Sequence, residues 1–294
     1  MNLDPRLTPV RADLASQALE GLVRAPRFIA PRAHQAIAPR AALRLGPDRT
    51  AEQASQLLLG ERFDVLDLQD GFAWGQAMRD GYVGWVEAEA LAPAGDPPTH
   101  RVTALAAFLF ATPSIKAPVL GPVGLNALVR AVGEDGEFLA VARPDGGGEA
   151  WVPRRHLAGV GEGFVAPADA AERFVGTPYL WGGRDSLGLD CSGLVQQALF
   201  AAGLACPRDS DQQARLGAAL DADDLRRGDL VFWRGHVGMM LDSERLIHAN
   251  AFHMAVAVEP LAEARARIAA RGGGDPTAWR RPLFAERDPS ADEA

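Results

Sequence analysis

The sequence predicts an α+β protein in which two small β-barrels precede a C-terminal domain of helices and strands. In the first half of the chain, apolar and polar residues alternate between Asp-Gly turns, as they do in short strands. A later stretch weakly repeats that pattern, which indicates a duplicated barrel. In the last third, helical segments come before strand-like runs, an order typical of α+β domains.

The composition is that of a globular protein. The 294 residues are 48% hydrophobic and 23% charged, and the length allows two or three compact domains. The net charge of −8 predicts no nucleic-acid partner, because such a partner needs a clustered basic surface. No apolar run has the length of a signal peptide or a membrane span, so we expect a cytoplasmic protein without a membrane partner.

These patterns divide the chain into five segments. The first is an N-terminal arm, which is either a strap over another domain or a poorly ordered extension, with a short helix at 14–23. The predicted segments are the arm (1–35), the first barrel (36–95), the second barrel (100–160), a catalytic domain (165–285) and a tail (286–294).

The two barrels are aligned through their turns. Asp135-Gly136 falls on Asp70-Gly71, and Trp151 then falls near Trp85. Pairs of short strands with this spacing are typical of small barrels.

The C-terminal domain is predicted element by element. Gly176 and Gly203 close the first two helices, since glycine readily takes the left-handed conformation at a helix end. The predicted strands are DLVFW (229–233), HVGMML (236–241) and RLIHAN (245–250), and a late helix follows at 260–270.

Cys191 is the main candidate for a nucleophile. It opens the second helix, where the positive end of the helix dipole favours the thiolate that acyl transfer needs. The alternative is a buried helix cysteine that acts as a small hydrophobe. Cys206 is the other cysteine, and two cysteines do not make a disulfide framework.

Two histidines on adjacent predicted strands complete a candidate catalytic set. A cysteine nucleophile needs a base, and the base needs a third group to orient it. His236 opens one strand and His248 lies in the next. Their rings share a face of the sheet only if the connecting loop has an odd number of residues or the hairpin has a bulge, since side chains alternate along a strand.

Other histidines are rivals for the orienting role. His253 lies in a stretch that can still pair in the sheet, and His156 belongs to the second barrel. The cysteines and histidines show neither CxxC nor HExxH spacing, so we predict no metal and no cofactor.

The motifs of the last third closely resemble those of NlpC-type cell-wall cysteine peptidases. This resemblance implies a papain-like core, and the upstream barrels resemble bacterial SH3-like domains. The whole arrangement resembles the γ-D-glutamyl-L-diamino-acid endopeptidases (dipeptidyl-peptidase VI type) that recycle muropeptides. The motifs are TPYLWGG (177–183), LDCSGLV (189–195), RDSDQQ (208–213), RGDLVFW (227–233), GHVGMML (235–241) and LIHAN (246–250).

The resemblance implies a role for each matching residue. Cys191 corresponds to the nucleophile, His236 to the general base and His248 to the orienting residue. Tyr179 corresponds to a tyrosine that holds the oxyanion together with the Cys191 amide, although it could also simply pack under its loop. Asp190 corresponds to a carboxylate that meets the free amine of an N-terminal L-Ala, and it can also cap the helix.

Further residues are expected to line the substrate site. Arg208, Asp209 and Ser210 correspond to a loop that contacts the peptide, or form a solvated loop. Tyr82 corresponds to a tyrosine that closes the pocket at the amine end, or is an ordinary barrel aromatic. Ser192, next to the nucleophile, completes the expected set.

One departure from the resemblance concerns the amine end. Relatives often carry a glutamate where this chain has Ala54, and Glu52 is the nearest substitute. If Glu52 does not substitute, it is open whether the substrate must begin with a free L-Ala.

The predicted function is hydrolysis of the γ-D-glutamyl bond of such muropeptides. The alternatives are a peptidoglycan-binding protein with an inactive last domain, and a cysteine amidase or acyltransferase on another substrate.

Overall fold

Two seven-stranded sheets and a mixed helix-and-sheet domain make up residues 3–282, the part of the chain that the computed structural model describes. The predicted tail at 286–294 and the end of the catalytic domain lie outside these residues. Within 3–282, no helix is both long and apolar enough to cross a bilayer.

The N-terminal arm is a strap that lies on the first sheet. Leu14 is buried in an apolar cluster with Trp74 and Trp85. Of the short helix predicted at 14–23, a single 3-10 turn at Gln17–Leu19 is present, while Leu14 and its neighbours are anchored in extended conformation. The arm contains two short parallel strands, β1 (Ala15–Ser16) and β2 (Phe28–Ile29).

The first sheet follows the alternating strands predicted from the sequence, and it begins at Arg32, before the predicted boundary. Asp70 and Gly71 both have positive φ, of 51° and 82°, as a tight hairpin turn between β6 and β7 requires. The spatial order is β5-β4-β8-β7-β6-β3-β9. Its strands are β3 (Arg32–Ala36), β4 (Arg40–Arg44), β5 (Gln53–Leu58), β6 (Arg62–Gln69), β7 (Phe72–Ala77), β8 (Val83–Glu87) and β9 (Leu91–Pro93).

The second sheet repeats this arrangement strand for strand. Its spatial order, β12-β11-β15-β14-β13-β10-β16, matches that of the first sheet when each strand is shifted by seven places. Gly136 lies in the turn that corresponds to Gly71, and Trp151 is the third residue of β15 as Trp85 is of β8. The strands are β10 (His100–Val102), β11 (Ala106–Phe110), β12 (Val119–Gly124), β13 (Leu128–Asp135), β14 (Phe138–Ala142), β15 (Glu149–Pro153) and β16 (Leu157–Gly159).

The C-terminal domain packs a fully buried helix, α2, against a six-stranded sheet of order β19-β24-β20-β21-β22-β23. Its helices are α1 (Pro167–Glu172), α2 (Cys191–Ala201), α3 (Ser210–Gln213) and α4 (Leu261–Ala270). Its strands are β17 (Arg184–Asp185), β18 (Gly188–Leu189), β19 (Ala218–Ala219), β20 (Leu230–Trp233), β21 (His236–Met240), β22 (Arg245–Asn250), β23 (Ala255–Pro260) and β24 (Ala278–Arg281).

Buried polar contacts fasten the first sheet to this domain. Arg184 forms an ion pair with Glu61 at 3.0 Å, and both side chains are 1% exposed. Gly182 approaches β5 so closely that a Cβ atom would lie 2.4 Å from the Gln53 carbonyl oxygen, and its φ of 73° also requires glycine. The loop that precedes the nucleophile is therefore shaped against the first sheet.

Candidate active site

Cys191 is the first residue of α2, and Asp190 caps the helix. The Asp190 carboxylate accepts a hydrogen bond from the Gly193 amide at 2.7 Å, as a good N-cap does. It also accepts from the Gly182 amide at 2.9 Å, so the cap ties the preceding loop to the helix start. These contacts fix the direction in which the Cys191 thiol leaves the helix.

The two histidines meet on one face of the sheet, as the sequence requires for a catalytic pair. Strands β21 and β22 pair Met239 with Ile247 and Met240 with Leu246, and residues 242–244 form a three-residue loop between Leu241 and Arg245. The predicted odd-numbered loop is therefore confirmed. Its consequence is direct: His236 Nε2 and His248 Nδ1 are 2.8 Å apart.

A carboxylate that sequence reasoning missed continues this chain of hydrogen bonds. Glu259, on β23, lies 2.6 Å from His248 Nε2 and forms an ion pair with Arg267 of α4. Burial raises the pKa of Glu259, but the bonds from His248 and Arg267 outweigh it and lower that pKa to about 2. The carboxylate is thus ionised and can only accept hydrogen bonds.

The ionised carboxylate assigns the tautomers of both rings. His248 must donate from Nε2 to Glu259, so its Nδ1 is the acceptor when the ring is neutral. That Nδ1 accepts the Nε2 proton of His236. The unprotonated nitrogen of His236 is then Nδ1, which is the atom available as a base.

The nucleophile and the base are both neutral in this site. Burial, with a smaller contribution from Asp190, raises the pKa of Cys191 to about 12, although amide hydrogen bonds from Val237 and Ser192 oppose the shift. Burial, helped by His248, lowers the pKa of His236 to about 3. Desolvation thus opposes the helix dipole, which the sequence predicts to favour the thiolate.

Tyr179 lies close to the sulfur. Its backbone amide donates to the Met254 carbonyl, and its ring packs on the same apolar cluster as Cys191. Burial and, next, the charge of a Cys191 thiolate raise the pKa of the Tyr179 hydroxyl, so this group stays protonated and can donate a hydrogen bond.

Cys191 opens into a cavity of about 370 Å³, within the size range of small-molecule sites. Tyr82 of the first sheet lines this cavity, so the sheet does form a wall of the site. The lining residues are Arg6, Leu45, Glu52, Ala54, Tyr82, Trp181, Asp190, Cys191, Ser192, Asp209, Ser210, Asp211 and Gly235.

Arg208 does not reach this cavity. Its side chain is 1% exposed and forms a two-pronged ion pair with Asp190, at 2.7 and 2.9 Å. It also donates to the Ser192 and Ser55 hydroxyls, and thereby links α2 to β5. The predicted contact of Arg208 with a peptide is corrected: the residue is a buried cross-link.

The same bonds redefine Asp190. Both of its oxygens accept from Arg208, one also from the Gly182 amide and the other from Gly193 and Ser192. This saturation argues against the predicted contact with a substrate amine, because a further cation would compete with Arg208 for the same oxygens. Asp190 and Ser192 instead position the nucleophile.

Another carboxylate that lines the cavity is that of Asp209. The Tyr82 hydroxyl donates to Asp209 Oδ2 at 3.1 Å, and Arg6 of the arm donates to the same oxygen at 2.8 Å. Burial raises the pKa of Asp209, and Arg208, Arg6 and Tyr82 oppose the shift. Ser210 lies beside it as the first residue of α3. Arg6 was missed because the sequence gives no sign that residue 6 meets residue 209.

Glu52, just before β5, and Ala54, in β5, both line the cavity. The exposed Glu52 carboxylate accepts a hydrogen bond from Trp181 Nε1 at 2.8 Å. The nearest substitute for the missing glutamate thus lies at the rim, where solvent reaches it.

The rival histidines do not join the chain of hydrogen bonds. His253 bonds to the Asn250 side chain, and His156 lies at the end of a short turn in the second sheet. Ligand atoms of His248, His253 and Glu259 lie within 4.8 Å of one another, and among residues 3–282 they are the group that could hold a metal ion. Arg267 already neutralises Glu259 there.

Comparison with known proteins agrees with this fold. A model of the NlpC/P60 family matches residues 176–267, and a model of the bacterial dipeptidyl-peptidase SH3 domain matches residues 43–91. An NlpC/P60 family protein from Bacillus cereus has a similar structure, with a TM-score of 0.73 and 23% identity over 86% of this chain and 100% of that one.

Two relatives have a higher sequence identity over the residues that align. A γ-D-glutamyl-L-lysine dipeptidyl-peptidase of Bacillus cereus is 30% identical over 235 residues, which are 70% of each chain. The enzyme of that name from Bacillus subtilis is 35% identical over 98 residues, 31% of this chain and 33% of that protein.

The fold and the site together define a papain-like peptidase with an SH3 domain in front of it. The chain belongs to the NlpC/P60 family and is a hydrolase of peptide bonds.

Proposed function

We propose that this peptidase hydrolyses the γ-D-glutamyl–diamino acid bond of muropeptides that begin with a free L-Ala. The Bacillus relatives are named for the corresponding bond to L-lysine, which supports this substrate class. The observation that carries the proposal is the cavity, which is lined both by the buried thiol of Cys191, here called its chemical end, and by the Tyr82–Asp209 pair, here called its amine end.

The amine end selects the substrate. The ammonium of L-Ala docks against Asp209 and Tyr82. Asp209 thus takes the role that the sequence assigned to Asp190. An acylated or sugar-linked L-Ala carries no charge, so it would displace water from the half-buried carboxylate without adding a second cation to the one that Arg6 already supplies, which is costly. Intact cell wall is thereby excluded, and a recycling role in the cytoplasm is part of the proposal.

Cys191 and His236, at the chemical end, break the bond. As Cys191 Sγ attacks the γ-carbonyl carbon of D-Glu, its proton passes to His236 Nδ1. The oxyanion is held by the Cys191 amide and the Tyr179 hydroxyl, both of which are donors. His236 then gives the proton to the leaving amine of the diamino acid, and water hydrolyses the thioester.

His248 and Glu259 act through His236. The carboxylate fixes the tautomer of His248, and His248 fixes the ring of His236 with Nδ1 unprotonated. When His236 takes the proton, the partly buried carboxylate of Glu259 stabilises the positive charge through the intervening ring.

We further propose that the second sheet is a second SH3-like domain. Its support is the strand order shared with the first sheet. The division into arm, two barrels and catalytic domain stays part of the same proposal.

The test is hydrolysis of L-Ala-γ-D-Glu-L-Lys and L-Ala-γ-D-Glu-meso-diaminopimelate, followed by mass spectrometry. We expect release of L-Ala-D-Glu, and loss of at least about 10⁴-fold in kcat for Cys191→Ala. Cys206→Ala is the matched control, because this second buried cysteine does not line the cavity and should leave turnover intact. Failure of the wild-type protein to release the dipeptide from either peptide would reject the proposal.

A further inference from the structure

Arg6 links the N-terminal arm to the amine end of the cavity with every donor it has. An arginine side chain carries five N–H groups, and here all five point at carboxylates. Nε and Nη2 donate to Asp4 at 3.0 and 2.7 Å. Nη1 donates to Asp209 and Asp211, both at 2.8 Å, and Nη2 donates to Asp211 at 2.8 Å.

The arm around Arg6 is held in place by the first sheet. The Val83 amide donates to the Arg6 carbonyl at 2.7 Å, and the Gln76 side chain donates to the Leu7 carbonyl at 2.8 Å. Gln212 of α3 reaches back to Asp4 at 3.2 Å. The arm, the first sheet and α3 therefore meet around Arg6.

The charges of this cluster favour a cation in the adjoining cavity. Three carboxylates surround one guanidinium, so two negative charges remain uncompensated within the cluster. The guanidinium has no donor left with which to bind an anion. An ammonium that enters the cavity meets this excess negative charge at Asp209, which lines it.

Asp209 depends on Arg6 for its ionisation as well as its position. Burial raises the pKa of Asp209, and Arg6 is among the groups that oppose the rise. Tyr82 shares the Oδ2 atom with Arg6, so the two donors together orient the carboxylate. The charged or titratable groups around Asp209 are Asp4 and Arg6 on the arm, Asp80 and Tyr82 beside the first sheet, and Asp190, Arg208 and Asp211 in the catalytic domain.

We infer that Arg6 is a positioning residue that sets the preference for a free amine, by holding the Asp209 carboxylate toward the cavity. The inference rests on the amine recognition in the proposed function. It assigns the N-terminal arm to the substrate site.

Binding to a chemically inactive protein tests the inference without turnover. In the Cys191→Ala background, calorimetry with L-Ala-γ-D-Glu and with its N-acetyl form gives the preference for the free amine. Arg6→Gln should weaken binding of the free-amine dipeptide about tenfold and leave the acetylated one unchanged. Arg24→Gln removes the same charge from an exposed position of the same arm and should change neither.

Two further readings separate positioning from a merely structural role. The pH below which binding of the free-amine dipeptide is lost should be higher in Arg6→Gln, because Asp209 then protonates more readily. Arg6→Lys should restore part of the preference, since one ammonium replaces the charge but not the five directed bonds.

Each outcome decides the inference. Unchanged or tighter binding of the free-amine dipeptide by Arg6→Gln overturns the inference. So does equal binding of both dipeptides by the Cys191→Ala protein that retains Arg6. If the protein that retains Arg6 prefers the free-amine dipeptide and Arg6→Gln binds both dipeptides equally, the inference stands even where no muropeptide is cleaved. In that case the proposed bond is wrong and the amine site is right.

Discussion

The two ends of the cavity are built in different ways. The chemical end comes from one domain, with Cys191 on α2 and the relay of His236, His248 and Glu259 on three successive strands. The amine end is assembled from the arm, the first sheet and α3, and it is held by charge. Chemistry is thus set by neighbouring strands, while specificity depends on contacts between distant parts of the chain.

Removal of Glu259 tests the chemical end, with the largest effect. Glu259→Ala should lower kcat about 100-fold with little change in KM, because His248 loses the acceptor that fixes its tautomer. Glu259→Gln retains an acceptor oxygen without the charge, so its loss should be smaller, about tenfold. Steady-state kinetics with a muropeptide substrate measure both.

The control for this experiment is Glu263→Ala. Glu263 is an exposed glutamate in the first turn of α4, away from the relay, and its removal should leave kcat unchanged. An unchanged kcat for Glu259→Ala would show that the histidine pair is oriented without the carboxylate.

The pH dependence of the chemical end follows from its neutral pair. Because the pKa of Cys191 is raised, iodoacetamide should alkylate it at pH 7 at least about tenfold more slowly than a free cysteine, and faster as pH rises past 9. The pKa of His236 is lowered, so this base is neutral at pH 7 and is lost by protonation well below pH 6.5. The profile of kcat/KM should therefore have a broad plateau.

A different result would identify a different resting state. Rapid alkylation at pH 5 to 6, with an alkaline limb of kcat/KM below pH 9, would indicate a thiolate–imidazolium pair. The alkylation of the denatured protein supplies the reference rate for an unperturbed thiol.

The chain's two tyrosines, Tyr82 beside Asp209 and Tyr179 near Cys191, give a matched pair of substitutions. Tyr82→Phe removes a donor to Asp209 and should raise KM about fivefold to tenfold with kcat nearly unchanged. Tyr179→Phe removes a donor near Cys191 and should lower kcat about tenfold with little change in KM. The same pattern of KM and kcat changes in both variants would contradict the division into two ends.

The difference between the ends also explains how far the sequence could be interpreted. Cys191, His236 and His248 lie within one domain, and the alternation of strand side chains fixed the loop length that brings the rings together. Glu259 was within reach of the same argument: β22 pairs with β23 so that Leu246 faces Glu259, which places Glu259 diagonally across from His248. The register of that hairpin, which the sequence did not reveal, was the missing fact.

The amine end could be predicted only through resemblance, and then incompletely. Arg6 and Asp209 are 203 residues apart, and no local pattern links them. Asp190 and Arg208 were assigned to the substrate by motif, yet they bond to each other because a buried carboxylate requires a cationic partner. A motif identified the residues here, and packing decided which of them face the substrate.

The smallest effect is expected at the rim. Glu52 lies exposed beside Trp181, so the charge that it adds to the cavity is screened by solvent and salt. Glu52→Gln should therefore raise KM by about twofold or less, and the increase should vanish at high ionic strength. Ala54→Glu is the counterpart, because it adds a carboxylate at a less exposed position of the lining and should lower KM even at high salt. If Glu52→Gln raised KM as much as Tyr82→Phe does, Glu52 would be a full substitute for the missing glutamate, and the amine end would extend to the rim.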